Sequence, residues 1–425
     1  IGEVVVVGGV RRSALISLSN LNDDQMRHAK TGEWWDEPDK NIKREGQRAL
    51  ANNSVAYKEK PQMGTFMREW LSLYESHSGE RGIFNRESAK RQAASNGRRD
   101  PDHQFGCNPC SEIILRPYQF CNLSEVVVRA TDNLETLENK VRLATILGTF
   151  QATLTDFKYI RKIWKDNTEE ERLLGVSLTG IMDNQLMSGK SPMHGMNIKN
   201  ILTTLKDKAI ETNEKMAKSL GIPQAAAITC VKPSGTVSQL VDSASGIHSR
   251  HNPYYIRTVR GDNKDPLTQF LISQGIPSEP DVMKPDSTTV FSFPMKSPKN
   301  AVTRTGMTAI EQLELWLLYQ RHWCEHKPSV TISVKENEWM AVGAWVYEHF
   351  DEVSGISFLP FSEHTYQQAP YQDIDADTYK EWAAKMPKNV DWSLLQEFEK
   401  EDTTSGGREL ACTAGVCEIV DIAAA

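Results

Sequence analysis

The run Cys107-Asn108-Pro109-Cys110-Ser111-Glu112 places two thiols, an amide and a carboxylate within six residues, with Cys121 shortly beyond. A thiol can act as metal ligand, nucleophile, redox donor or hydrogen-atom donor, and a neighbouring carboxylate as general base. If the stretch is extended, its i, i+2, i+4 spacing sets the side chains of Asn108, Cys110 and Glu112 on one face. A zinc site would draw on Cys107, Cys110 and Cys121, but structural zinc takes four ligands and only His103 is close enough to complete the set. Thioredoxin-like redox chemistry also uses Cys-x-x-Cys. That motif should open a helix, whereas Glu112-Ile113-Ile114-Leu115 reads as strand. Radical chemistry at one cysteine, with others as reductants, is the third possibility. The plain alternative is that these cysteines are small buried hydrophobes.

Two further groups stand out. Lys232-Pro233-Ser234-Gly235-Thr236 separates an apolar strand pattern over 225–231 from a following helix. Backbone N–H groups of Ser234, Gly235, Thr236 and Val237 at that helix start suit a phosphate, and Gly235 allows close backbone approach. An ordinary Ser or Thr helix cap fits equally well. No Gly-Lys-Ser/Thr ends the turn, so it is not a P-loop. At the other end of the chain, Cys412 and Cys417 follow the linker composition Thr403-Thr404-Ser405-Gly406-Gly407. Two cysteines on such a tail do not read as packing residues, whereas Cys230 and Cys324 do.

These groups need a scaffold. Val4 to Val7 reads as a buried strand ended by Gly8-Gly9. Residues 20–65 read as helix and loop, and 79–104 as charged and irregular. Asp132 opens a long helix with Glu135 completing a capping box, and Leu134, Leu137, Val141, Ala144, Leu147, Leu154 and Phe157 recur at helical spacing. A helix over 199–220 stops at Gly221 and Pro223, another spans 313–323, and a strand spans 329–334. Alternating helices and apolar strands predict an α/β architecture.

The 425 residues suffice for two or three domains at roughly 150 residues each. Lys+Arg 49 against Asp+Glu 56 gives a net charge of −7, which argues against a bulk nucleic-acid binder. No apolar run reaches the roughly 20 residues of a membrane helix, and no basic-then-apolar signal opens the chain. Seven cysteines, an odd and sparse set without a secretory signal, imply a reducing, cytoplasmic compartment. The chain begins with Ile1, which reads as processing or as a piece of a longer polypeptide.

Asn108-Pro109-Cys110-Ser111-Glu112-Ile113, with Cys121-Asn122-Leu123 eleven residues after Cys110, resembles the active-site finger loop of ribonucleotide reductases. Gly8-Gly9-Val10-Arg11-Arg12-Ser13-Ala14 and Leu174-Gly175-Val176-Ser177-Leu178-Thr179-Gly180 resemble further segments of that family. So do Lys232-Pro233-Ser234-Gly235-Thr236-Val237-Ser238, Ser245-Gly246-Ile247-His248 and the terminal Cys412/Cys417 pair. The adenosylcobalamin-dependent, monomeric, triphosphate-reducing kind is the nearest in pattern. No terminal glycyl-radical site is present. The adjacent pair Tyr254-Tyr255 follows directly on Ser-Gly-Ile-His and reads as packing or surface.

The resemblance implies part of a ten-stranded α/β barrel over residues 1–400, with a flexible redox tail over 401–425. It implies reduction of a ribonucleotide 2′-OH by thiyl chemistry. Cys110 would carry the radical, Glu112 would take the 3′-OH proton, and Asn108 would bond the sugar hydroxyls. Cys121 would supply reducing equivalents, and its family partner lies upstream of Gly8-Gly9. Ser234 to Val237 would bind substrate phosphate. Cys412 and Cys417 would relay electrons from thioredoxin, the stretch 403–411 reaching roughly 30 Å when extended. The cofactor would be adenosylcobalamin, with no protein histidine on cobalt, since Pro101-Asp102-His103-Gln104-Phe105-Gly106 departs from Asp-x-His-x-x-Gly. A deoxynucleotide effector and a separate N-terminal fragment are further implied partners. Cys107 departs from the family pattern and is a spare thiol, a packing residue or a trap.

The rivals are a reductase large subunit that depends on a separate radical subunit, and a non-catalytic nucleotide-binding fragment. With the partner of Cys121 absent, the isolated chain should give no multiple turnover with adenosylcobalamin and a dithiol. Sustained deoxynucleotide formation would show instead that Cys107 or another thiol replaces that partner.

Overall fold

A computed structural model describes residues 6–7, 10–11, 14–31, 48, 51–190, 197–282, 284–361 and 367–399. The chain forms two compact units. One comprises Leu15–Arg250 and Lys299–Phe361, the other Ile1–Ala14, His251–Pro298 and Ser362–Ala425. Gly8, Gly9, Arg12, Ser13, Cys412 and Cys417 lie outside the described residues.

In chain order the strands are β1 (Val6–Val7), β2 (Val10–Arg11), β3 (Leu15–Ser19), β4 (Ala51–Tyr57) and β5 (Gly82–Asn85). Then come β6 (Gly106–Cys107), β7 (Ile114–Leu115), β8 (Asn122–Val127), β9 (Leu174–Thr179) and β10 (Tyr254–Asp262). The last are β11 (Ser278–Pro280), β12 (Thr288–Lys296), β13 (Val330–Val334), β14 (Ile356–Pro360) and β15 (Tyr371–Asp373).

In the larger unit β8 pairs with β9 in parallel. Parallel bridges Val176–Thr229 and Val231–Pro328 carry the run on to β13, which is parallel to β14. β14 then meets β5 antiparallel at Ile356–Ile83, and β5, β4 and β3 are again parallel. Parallel neighbours need long crossovers. Helices Met63–Ser76, Leu134–Gln151, Ile198–Leu220, Ala309–His322 and Trp339–Glu348 supply them. The α/β class expected from the sequence is borne out, in two parallel sets that meet head to tail. No helix among the described residues is long and apolar enough to cross a membrane.

In the smaller unit β11, β12, β10 and β15 form an antiparallel sheet. Tyr254 and Tyr255 lie on β10 and pack, Tyr254 with its ring 5.2 Å from Tyr379 and Tyr255 5.7 Å from His251.

Several expectations shift. The capping box of Leu134–Gln151 is made by Asn133 and Thr136, not by Asp132 and Glu135. Asp132 is already occupied, accepting from Arg129 N at 2.7 Å and Lys140 Nζ at 2.5 Å. Leu147 and Leu154 are exposed. The helix instead buries the small residues Thr145, Gly148 and Thr149, and Asn213 Nδ2 of the next helix donates to Thr149 Oγ1 at 3.0 Å. β4 fell in a stretch read as helix and loop because its first half, Ala51-Asn52-Asn53-Ser54, has no apolar alternation. Asn53 is buried there through Nδ2 donating to Met26 O at 2.7 Å. Likewise β5 and helix Arg86–Ala94 fall in the stretch read as irregular. The strand pattern over 225–231 reduces to bridges at Thr229 and Val231.

Helix Ala309–His322 anchors the core with Trp316, Tyr319 and, at its C-cap, Trp323, all fully buried. Each satisfies its polar tip: Trp316 Nε1 to Pro328 O at 2.8 Å, Tyr319 OH to Met187 O at 2.8 Å, Trp323 Nε1 to Cys230 O at 2.7 Å. Trp323→Ala should destabilise the larger unit by about 3–5 kcal/mol, measured by denaturant unfolding. A loss below about 1 kcal/mol would show that this contact is dispensable.

Candidate active site

β6 and β7 pair antiparallel, Gly106 with Leu115 and Cys107 with Ile114, and the residues between them form the tip of a hairpin. Asn108 to Ser111 is a turn closed by Ser111 N donating to Asn108 O at 2.9 Å. Asn at the first position and Pro at the second are the residues such a turn favours. Ser111 follows with φ 66°. The extended-strand expectation is therefore overturned, and with it the argument that alternation puts Asn108, Cys110 and Glu112 on one face. Asn108 Oδ1 instead accepts from Ile113 N at 3.0 Å and braces the turn. Cys110 is half-buried and Glu112 fully buried.

The hairpin is gripped by the segment after the Trp323 cap. Lys327 N donates to Glu112 O at 3.0 Å. Ile114 N donates to His326 Nδ1 at 3.3 Å, while His326 Nε2–H donates to Leu174 O at 2.9 Å. The ring is thus neutral with its proton on Nε2, and burial, with Arg99 and Lys327 nearby, holds its proton affinity well below the ordinary range. Lys327 Nζ donates to Ser354 Oγ at 3.0 Å and lies 4.3 Å from the centre of the Phe84 ring. Burial pulls that ammonium down to about 8, against the upward pull of Cys107 and Glu112. Neither His326 nor Lys327 was singled out from the sequence. The available signal was a run of titratable residues, Glu325-His326-Lys327, set directly between a buried helix and a buried strand.

Lys232 joins this loop to the turn before helix Gly235–Leu240. Its Nζ lies 3.2 Å from Glu112 Oε1 and 3.8 Å from Cys110 Sγ. Glu112 Oε2 has no hydrogen-bond partner among the described residues. Lys232 N donates to Ser177 Oγ at 2.8 Å, and Ser177 Oγ donates to Glu125 Oε1 at 3.2 Å. Ser234 also donates its hydroxyl to Glu125 rather than capping the helix. Burial pushes the Glu125 carboxyl up, with both serine hydroxyls opposing. A Cβ placed on Gly235 would meet no atom within 4 Å, so the space beside Gly235 is open. From behind, Gly246 closes on it with φ +56°, where a Cβ would come 2.3 Å from Lys232 O. Ser245 donates its hydroxyl to Pro233 O. The three sequence motifs at 174–180, 232–238 and 245–248 are therefore parts of one support.

Cys121 is half-buried against Leu173, Ala226 and Ala227. Burial, then the charge of Glu112, raises its thiol far above the ordinary range. Cys230 and Cys324 are fully buried, as expected of packing residues. Gly175 lets the hairpin lie against β9, since a Cβ there would fall 2.5 Å from Leu123 Cδ2 and 3.0 Å from Ile113 Cδ1. Cys107 packs beside Phe84 and Phe105, its Sγ 3.2 Å from Ser111 Oγ. Among the described residues no three His, Cys, Asp or Glu side chains gather to hold a metal.

Because folding requires His326 neutral, its stabilising grip is complete above its ordinary value of 6.5 and is lost as pH falls below that. Buried His248, whose Nε2 accepts from Thr331 N at 3.0 Å, acts with the same sign. Unfolding free energy should therefore drop between roughly pH 6.5 and 5, and His326→Gln should remove up to about 1.4 kcal/mol per pH unit of that slope. An unchanged slope in the variant would refute the assignment.

No protein-family model matches the chain. The adenosylcobalamin-dependent ribonucleoside-triphosphate reductase of Lacticaseibacillus paracasei is 28% identical over 452 residues, covering 99% of this chain and 58% of the relative. The probable enzyme of the same name from Dictyostelium discoideum is 28% identical over 445 residues, covering 99% and 53%. The chain thus spans little more than half the length of these relatives. The crystal structure of a B12-dependent (class II) ribonucleotide reductase matches with TM-score 0.72 and 24% identity, over 90% of this chain and 55% of that one. The chain has the class II ribonucleotide reductase fold, and along 99% of its length it is a relative of the adenosylcobalamin-dependent ribonucleoside-triphosphate reductases.

Proposed function

We propose that this chain carries the catalytic centre of a reductase that converts ribonucleoside triphosphates to 2′-deoxyribonucleotides. The observation that supports it best is the convergence of the Cys110 thiol and the Glu112 carboxylate on one ammonium, with the buried Glu112 Oε2 left without a hydrogen-bond partner. A secondary hydroxyl is a poor leaving group, so the sugar must first be activated at C3′. A thiyl radical at Cys110 abstracts the 3′ hydrogen reversibly, because S–H and C–H bonds are close in strength. Glu112 Oε2 takes the 3′-OH proton while the 2′-OH, protonated by the Cys121 thiol, departs as water. With its Oδ1 committed to Ile113 N, Asn108 addresses the sugar through its Nδ2 donor. The backbone of Ser234 to Val237 receives phosphate in the open space beside Gly235, while the Ser234 hydroxyl stays on Glu125.

A half-buried thiol at the tip of a turn fits a cofactor that must reach it from outside the loop. Adenosylcobalamin, when bound, supplies the radical through its cobalt–carbon bond. Cys121 delivers reducing equivalents, and its raised thiol keeps it protonated until a partner engages it. Cys412 and Cys417 then relay electrons from thioredoxin.

The test is anaerobic turnover with adenosylcobalamin and no second subunit, the chain being supplemented with a separately made N-terminal portion. Cys110→Ser should abolish deoxynucleotide formation while circular dichroism stays unchanged. Substantial turnover in that variant would sink the assignment, and a strict need for a separate radical subunit would favour the other reductase class.

A further inference from the structure

We propose that Lys232 is the positioning residue of this site: its ammonium supplies the buried Glu112 carboxylate with a counter-charge at Oε1 and ties base and thiol to the phosphate turn. The inference rests on the reduction proposed above. Among the described residues, the charged and titratable groups around Glu112 include the cations Lys232 and Lys327, the carboxyl of Glu125, and the thiols of Cys107, Cys110, Cys121 and Cys230. Lys327 turns its Nζ to Ser354 and Phe84 and meets Glu112 only through its backbone N–H. Lys232 is therefore the cation in contact with the carboxylate, at 3.2 Å.

The pairing is lopsided. The Glu112 side chain is 0% exposed and that of Lys232 32% exposed. A carboxylate taken wholly out of water keeps its charge only if a counter-charge is close. Without one it takes up a proton, and a protonated carboxyl is no base. Lys232 can serve because its backbone is fixed on both sides. Its N–H is held by Ser177, its carbonyl lies against Gly246, and the next carbonyl, that of Pro233, accepts from Ser245. The side chain then spans from the phosphate turn to the finger loop and touches both reacting groups. It forms no bond to substrate in this role.

The experiment compares Lys232→Met, Lys232→Gln and Lys232→Arg in the full chain, with Glu112→Gln as the assignment control. Infrared spectroscopy at pH 7 should show a protonated-carboxyl band in Lys232→Met and Lys232→Gln. The band should be absent in wild type, in Lys232→Arg and in Lys232→Met combined with Glu112→Gln. Lys232→Gln keeps polarity and length without charge, and guards against misfolding of the methionine variant. In turnover, loss of the ammonium should lower kcat by about 100-fold or more, the usual worth of a general base. Lys232→Arg should recover most of the rate. No carboxyl band in either uncharged variant would overturn the proposal, as would equal rate losses in all three variants. If wild type performs no reduction at all, the functional reading fails, and the infrared comparison still decides the role of Lys232.

Discussion

A backbone hairpin driven into a protein interior must find partners for every N–H and C=O it takes out of water. That requirement governs this site. The hairpin over 106–115 is too short to satisfy itself, pairing at only two residue positions. Asn108 Oδ1 within the loop receives Ile113 N, and the rest is borrowed from the surroundings: Lys327 N for Glu112 O and His326 Nδ1 for Ile114 N. The segment that lends these groups is itself fixed, because Glu325 N and His326 N both donate to Thr229 O and Val231 N donates to Lys327 O. The bridge region next to Lys232 and the hairpin carrying Cys110 are thereby locked to one another through their main chains, before any side-chain chemistry is considered.

Charge follows the same economy. Arg250 donates to both carboxylate oxygens of Asp183 at 2.8 Å, and both side chains are buried. Such a pair contributes little net stability but is costly to break on one side only. Asp183 Oδ2 also accepts from Ala244 N at 2.9 Å, which sets the strand of chain leading to Ser245 and Gly246. Those residues in turn back the carbonyls of Pro233 and Lys232. An ion pair remote in sequence from the chemistry thus fixes the position of the lysine that meets Glu112. Arg99, paired with Glu171 at 2.9 Å and stacked 4.8 Å from Phe105, plays a comparable part on the side of Cys121.

Much of this was legible in the residues. The α/β class and the long helices followed from periodicity and stop signals. The motifs of the site were visible because they are polar or glycine-rich where a core pattern should continue. What escaped was governed by tertiary partners. β4 buries Asn53 and Ser54, so its pattern looks like loop until Met26 O is there to receive the amide. Asn133 outcompetes Asp132 as a cap because Lys140 and Arg129 N claim the aspartate. Reading Asn108 to Glu112 as extended ignored the turn chemistry of Asn-Pro, although the outcome, thiol and carboxylate beside one another, survived by a different geometry. His326 and Lys327 could not be placed by local pattern, since their partners lie on β7, β9 and the segment before β14.

The strand order also bears on why a finger loop is needed at all. In a barrel whose strands all run one way, every carboxyl end opens on one rim, and a site can be assembled there from successive loops. Here β8, β9, the Thr229–Val231 bridges, β13 and β14 run together, while β5, β4 and β3 run opposite to β14. The carboxyl ends of the two sets face opposite ways, so neither rim can collect loops from both. Ser354 sits at that junction, its Oγ receiving Asn85 N at 3.1 Å from the end of β5 and Lys327 Nζ at 3.0 Å. The same lysine holds Glu112 by its main chain. Bringing the reactive groups to the seam on an internal hairpin lets both sets of strands support one site: His326 and Lys327 hold it from the segment before β13, and Asn52 Nδ2 of β4 donates to Pro109 O at 2.7 Å.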